Sequence, residues 1–315
     1  MKKEKFTYHT IAKKAGVGVG TVSRYFNNYN ISEESRKKIK NILDEVEYVP
    51  NYAASSIKKP NKDVYLILPF NSEEKANMEI VNGVKKSLSE ENYNFFVFIS
   101  SGDSNNYQKD LKTLEYRNSY GLILLLPKQT TTELYDQIKK IRTTKVIVYN
   151  RQIDNVLSEG IEDNQIFTEL AFKIDHTYNN KKIVFIGITD DDLTTGKIRK
   201  SNFINNIVNN KVVSYQLKSN SYDDVMKVIK SIINIDKPDI IVSATHTIAL
   251  SVHNYLTEKN LRNKFILTDI TRLNKTQFIK NFDINIVIDY YSLGYRLGNK
   301  LLNKSIKMEK LFKIL

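Results

Sequence analysis

The sequence predicts a small all-α unit followed by an α/β body of two doubly wound, parallel-sheet subdomains. Three observations predict this. From residue 64 onward, seven continuous apolar runs alternate with amphipathic stretches of helical length, as strands buried on both faces and covered by helices must read. The first 60 residues contain no such run and instead place apolar residues at helical spacing. Between the two lies YVPNYAASSIKKPNK, punctuated by Pro50 and Pro60.

Thr7 is an N-cap candidate ahead of Ile11, Ala12 and Ala15, and Gly16 ends that first helix. A second helix follows in AGVGVGTVSRYFNN: Gly18 serves as its N-cap, and Val22, Tyr25 and Phe26 share one face. The third begins at Ser32, with Glu33 and Glu34 in the first turn, where anions suit the helix dipole. Ile39, Ile42, Leu43 and Val46 form its apolar stripe, and Arg36, Lys37, Lys38 and Lys40 lie mostly off it. Pro50 starts a short helix and Pro60 must end it. Alone it is too short to be stable, so it folds only when something holds it. The expected divisions are 1–49, a hinge and linker at 50–62, and a body at 63–315.

In the body the strands are expected at 64–69, 95–100, 121–126, 145–149, 182–188, 239–244 and 265–270. The helices are expected at 78–92, 107–117, 132–141, 166–178, 197–209, 222–235 and 248–259. Ligands of such sheets sit outside the strand C-termini or in the cleft between halves.

Composition narrows the function. The chain has 315 residues, no cysteine and four histidines without HxxxH or HExxH spacing. That leaves no disulfide framework, thiolate metal site or cysteine nucleophile, and argues against zinc. No GxGxxG follows a strand, TTGKIR lacks the first glycine and the Ser/Thr of a phosphate-binding loop, and no GxSxG occurs. The expectation is a protein that is not an enzyme and needs no cofactor. Acidic Asp190, Asp191 and Asp192 read as solvated. No apolar segment follows the basic N-terminus, so a cytoplasmic protein without a membrane partner is expected.

The formal charge is +13, and residues 1–60 hold 12 Lys and Arg against six Asp and Glu. This concentration suggests a basic headpiece for a polyanion. The first two helices and their Gly16-Val17 turn form a helix-turn-helix pattern, whose second helix lies in the DNA major groove. There Thr21 and Ser23 can donate to phosphates and Arg24 can reach guanine N7 and O6.

The stretch from Thr7 to Ile57 resembles the LacI family of bacterial repressors. Matches to its pattern stand at Thr7, Ala12, Ala15, Gly16, Val17, Thr21, Val22, Ser23, Arg24, Asn27, Tyr48, Pro50, Asn51 and Ala54. The body resembles that family's periplasmic-binding-protein-like core. DDDLTTGKIRKSNF, IIVSATHTIALSVHNYL and VYNRQID are each similar to segments of its trehalose-operon branch.

The resemblance implies a homodimeric repressor of a sugar-utilisation operon. It would bind double-stranded DNA at a palindromic operator and be controlled by a sugar or sugar phosphate, best guessed as trehalose 6-phosphate. The expected DNA contacts are Thr7, Val19, Gly20, Thr21, Ser23, Arg24, Asn27, Asn51, Ala54 and Ile57. Val19 and Gly20 cannot hydrogen-bond a base through their side chains, although Val19 can touch a thymine methyl. Ile57 replaces a leucine that wedges into a base step. The expected effector residues are Phe70, Arg151, Lys197, Arg199, His246, Asp269 and Tyr291. Phe70 stands where the trehalose branch has arginine, and His246 where the family commonly has Asp. Phe70 is equally readable as core, and His246 as a helix cap. A transport-type sugar-binding protein shares the body but carries no helix-turn-helix.

Overall fold

The structure is a computed structural model that describes residues 7–26, 29–45, 61–69, 74–117, 119–272, 280–307 and 309–315. The chain divides into two compact units, Met1–Pro60 and Asn61–Leu315.

In the smaller unit, α1 spans Tyr8–Ala15, α2 Val19–Phe26 and α3 Glu33–Glu45. Thr7 caps α1 in a reciprocal box: its side chain accepts from the Thr10 backbone, and Thr10 returns the bond to the Thr7 N–H. Gly16 closes α1 at φ 63°, a left-handed conformation that only glycine adopts without strain. The Gly18 carbonyl accepts from Thr21 and Val22, so α2 starts where expected. Ser32 sits just before α3, its hydroxyl accepting from the Ser35 N–H at 3.3 Å. Ile11, Ala12, Ala15, Val22 and Ile39 form the buried core, and Ile42 and Leu43 pack on it. Val46, the last residue of the expected stripe, lies outside the described residues. Tyr8 stacks on Phe26 at 4.9 Å, which ties the start of α1 to the end of α2.

The larger unit holds two sheets. The first has the order β2-β1-β3-β4-β5, with β1 Asp63–Pro69, β2 Asn94–Ser100, β3 Gly121–Leu125, β4 Lys145–Tyr149 and β5 Leu157–Glu159. The second runs β11-β10-β9-β8-β6-β7, with β6 Lys182–Ile188, β7 Lys211–Leu217, β8 Ile240–Ser243, β9 Ile266–Arg272, β10 Ile284–Ile288 and β11 Phe312–Ile314. All pairings are parallel except β10 with β11.

The helices are α4 Glu74–Glu90, α5 Ser104–Glu115, α6 Thr132–Lys140, α7 Asp163–Thr177, α8 Arg199–Ile204, α9 Tyr222–Ser231, α10 His246–Glu258 and α11 Tyr290–Leu301. A π-helical turn, Leu193–Ile198, leads into α8.

Alternation within the strands explains the continuous apolar runs. On β3, Ile123 and Leu125 join one core while Leu122 and Leu124 join the core on the opposite face. On β6, Ile183 and Phe185 face one way, Val184 and Ile186 the other. Burying such a side chain contributes about 1.5–3 kcal/mol, so register is strongly fixed on both faces.

The chain crosses between the subdomains after β5, after β10 and again before β11. The second crossing sends α11 onto the first subdomain, where its backbone touches that of α4. A Cβ on Gly83 would lie 2.0 Å from the Tyr291 carbonyl oxygen, and one on Gly294 2.1 Å from that of Ile80. Only glycine permits this approach.

Candidate functional site

Two places bear on function, one in each unit. In the smaller unit, α2 presents an edge of Thr21, Ser23 and Arg24. Thr21 and Ser23 are half-buried, and Arg24 is exposed with no salt bridge among the described residues. Val19 packs from the first turn of α2 onto the core. Gly20 is exposed, and a Cβ there would meet nothing within 4 Å. The fold therefore does not require glycine at position 20. Thr7 is exposed, with its hydroxyl already engaged by the capping box. Lys13 and Lys14 add positive charge to the last turn of α1. The remaining expected DNA contacts, Asn27, Asn51, Ala54 and Ile57, lie outside the described residues.

In the larger unit, the strand C-termini of the two sheets gather a polar group. Asp163, at the start of α7, is its hub. Its carboxylate accepts from Arg199 Nε at 2.7 Å and from Asn150 Nδ2 at 3.2 Å. Arg199 also donates to the Ala244 carbonyl at 2.6 Å and lies over the Phe167 ring. The side chains of Arg199 and Asp163 are 9% and 3% exposed, so the pair is sealed from solvent. Arg199, an expected effector residue, has part of its guanidinium tied to α7 and to the end of β8. The reason is the carboxylate 36 residues away, which the fold brings within bonding distance.

Arg151 extends from the end of β4 to the Thr194 hydroxyl in the π-helical turn, and also donates to the Asn150 carbonyl at 3.0 Å. Asp192 caps that turn, accepting from the Thr194 and Thr195 N–H groups. A second link between the subdomains joins Arg272, at the end of β9, to Glu79 of α4 at 3.2 Å. At the α10 N-terminus, His246 Nδ1 lies 2.8 and 3.0 Å from the two carboxylate oxygens of Asp269, which is fully buried on β9. An ionised carboxylate only accepts, so this contact puts a hydrogen on Nδ1 and fixes the orientation of the ring. The helix cap itself is Thr245, whose hydroxyl accepts from the Ile248 N–H. The side chain of His246 is thus committed to Asp269, and the capping role belongs to its neighbour.

Lys197 is exposed, with no salt bridge among the described residues. Tyr291 is 39% exposed on α11, and its carbonyl abuts Gly83. No described contact joins either residue to the His246–Asp269 pair. Phe70 lies outside the described residues. Sequence reasoning missed Asp163, Asn150, Thr194, Glu79 and Arg272. Asp163 lies ahead of the helix expected at 166–178, while the Glu79–Arg272 pair spans too much sequence to be read. Among the described residues no cluster of three His, Asp or Glu could hold a metal, and no helix is long and apolar enough to cross a membrane.

Comparison with known proteins gives two family matches. The model for bacterial regulatory proteins of the lacI family matches residues 7–51. The model for periplasmic binding proteins and the sugar binding domain of the LacI family matches residues 61–282. The sucrose operon repressor of Staphylococcus xylosus is 28% identical over 254 residues, 79% of this chain and 77% of that protein. The regulator TreR of Salmonella typhimurium is 22% identical over 311 residues, 95% of this chain and 94% of that protein. Among solved structures, the lac repressor dimer bound to operator and the anti-inducer ONPF superposes with a TM-score of 0.76 at 16% identity, covering 99% of this chain and 98% of that one. The trehalose repressor from Escherichia coli gives 0.65 at 18% identity, covering 78% and 93%. At these identities the structural likenesses speak to the fold alone.

Proposed function

The chain belongs to the LacI family of bacterial regulatory proteins, which are not enzymes, and on that premise we propose that it is a dimeric repressor of a sugar-utilisation operon released by a sugar phosphate. The observation that carries this is the pairing, on one chain, of the Thr21-Ser23-Arg24 edge of α2, with Arg24 exposed, and the polar group gathered at the strand C-termini. A transport-type binding protein has no use for the first.

Two copies place α2 in successive major grooves of a palindromic operator. Thr7, Thr21, Ser23 and Asn27 serve phosphates; Arg24 reads a guanine and Val19 a thymine methyl. The Asn51–Ile57 segments, with Ala54 between them, order against each other in the minor groove, where Ile57 wedges a base step. Gly20, which the fold does not need, lets the α2 backbone approach the duplex. Gly20→Ala is accordingly expected to stabilise the smaller unit by up to roughly 1 kcal/mol while weakening operator binding. Thermal unfolding and a gel shift on the same sample check both halves.

The effector closes the cleft. His246 Nε2, held in place by Asp269, meets a sugar hydroxyl. Arg151 and Lys197 meet the phosphate, Arg199 supports the floor, and Phe70 and Tyr291 complete the walls. Trehalose 6-phosphate is the first effector to test, supported by the three sequence segments quoted above and by the similarity to TreR. Calorimetric titration of the full chain with trehalose 6-phosphate, trehalose and sucrose tests it. Binding of the phosphorylated sugar, weakened at least tenfold by His246→Ala, is the expected result. Heat from an unphosphorylated sugar alone overturns the phosphate assignment, and no heat from any of the three overturns the choice of effector.

A further inference from the structure

The N-terminal edge of the first sheet, opposite the cleft, carries a cavity of about 670 Å³. It lies where Asn61 leads into β1, Tyr120 into β3 and Lys145 begins β4. Of the described residues lining it, two are cations, Arg142 and Lys145, and none is a carboxylate. The Arg142 side chain is anchored through one Nη, which donates to the Lys139 and Ile141 carbonyls at the end of α6. Its other nitrogens have no partner among the described residues.

Two hydroxyls mark the site independently. Ser119 and Thr144 both line the cavity, are 3% and 6% exposed, and have no hydrogen-bond partner for their side-chain oxygens among the described residues. Native interiors rarely leave a buried hydroxyl unmet, and an unseen ion or water is one of the few explanations. The local field is positive. Burial pushes the Tyr120 phenol up, yet hydrogen bonds from Lys145 and Tyr93 outweigh it and hold the group below its ordinary value. Lys145 donates to the Tyr120 oxygen at 2.9 Å. Ile141 and Leu157 supply an apolar wall beside these groups.

We propose that this cavity is a second anion site, distinct from the cleft, which takes a phosphate monoester with a small apolar body. Arg142 and Lys145 neutralise the phosphate, Ser119 and Thr144 donate to its oxygens, and Ile141 and Leu157 cover the organic part. Cations and hydroxyls together, without a competing carboxylate, match the several acceptor oxygens of a phosphate. Asn61, which lines the cavity, is the first residue of the larger unit.

Full-length protein titrated with inorganic phosphate, phenyl phosphate and phenol, followed by calorimetry, tests this. Phenyl phosphate is expected to bind more tightly than inorganic phosphate, and phenol not at all. Arg142→Met is expected to weaken phenyl phosphate at least tenfold. Because Arg142 also anchors the α6 terminus, Thr144→Val is the second variant. It removes an unmet hydroxyl without changing shape, so the protein should be no less stable, yet phenyl phosphate should bind several-fold more weakly. Phenyl phosphate affinity equal in the parent and both variants overturns the proposal, as does absence of binding to the parent. Either result would show that the hydroxyls meet water only or that the anion binds elsewhere.

Discussion

Asp163→Ala is expected to lower the stability of the larger unit by about 3–5 kcal/mol, the usual cost of stripping one partner from a buried ion pair. Arg199 would keep its charge at 9% side-chain exposure with its counter-charge gone, and Asn150 would lose the acceptor of its amide. The damage reaches three elements, because Arg199 also holds the Ala244 carbonyl at the end of β8. The double variant Asp163→Ala with Arg199→Met is expected to recover part of the loss, since two neutral side chains leave no buried charge. Urea unfolding followed by circular dichroism suits a chain with no tryptophan. A midpoint for Asp163→Ala equal to that of the parent would show that the pair is not the structural anchor argued for.

The second large effect is on DNA. Arg24→Ala is expected to cost about 1–3 kcal/mol of operator binding, roughly five- to 150-fold, as loss of a bidentate guanine contact does. The shape of the loss discriminates the contact. A guanine reader relaxes base preference at one position, whereas a phosphate binder weakens all duplexes alike and lowers the salt slope by about one. Titrations of operator and single-base variants at several salt concentrations separate the two. Operator affinity unchanged by Arg24→Ala would remove α2 as the reading helix.

Much of the fold was legible because its strands are buried on both faces. KVIVY and KIVFIGI coincide with β4 and β6 to the residue. β7 was missed because Lys211, Ser214 and Gln216 break up its apolar residues, whereas β2, an edge strand equally exposed, keeps a continuous run. β10 was missed because Asn285 interrupts a run of only five residues. α11 escaped because Gly294 and Gly298 depress helix propensity, although Gly294 is there to let the backbone meet α4. The π-helical turn before α8 was read as ordinary loop and helix. Within the candidate site, His246 and Asp269 were both named, each alone. Their bond exists only because β9 lies beside β8 in the sheet. Arg199 was named for its place at a helix start, and its ion pair with Asp163 could not be read because that acid lies on another helix. Local chemistry shows which residues are polar and near strand ends, while partnership across elements is set by topology.

Coupling between the two units is measured most directly with a fluorescent operator duplex, selected from a random palindromic pool and titrated with full-length protein at fixed salt, with and without saturating effector. Effector is expected to weaken operator binding at least tenfold, and operator to weaken effector binding by the same factor, as linkage demands. An effector that occupies the cleft while leaving operator affinity unchanged would contradict the role assigned to this chain.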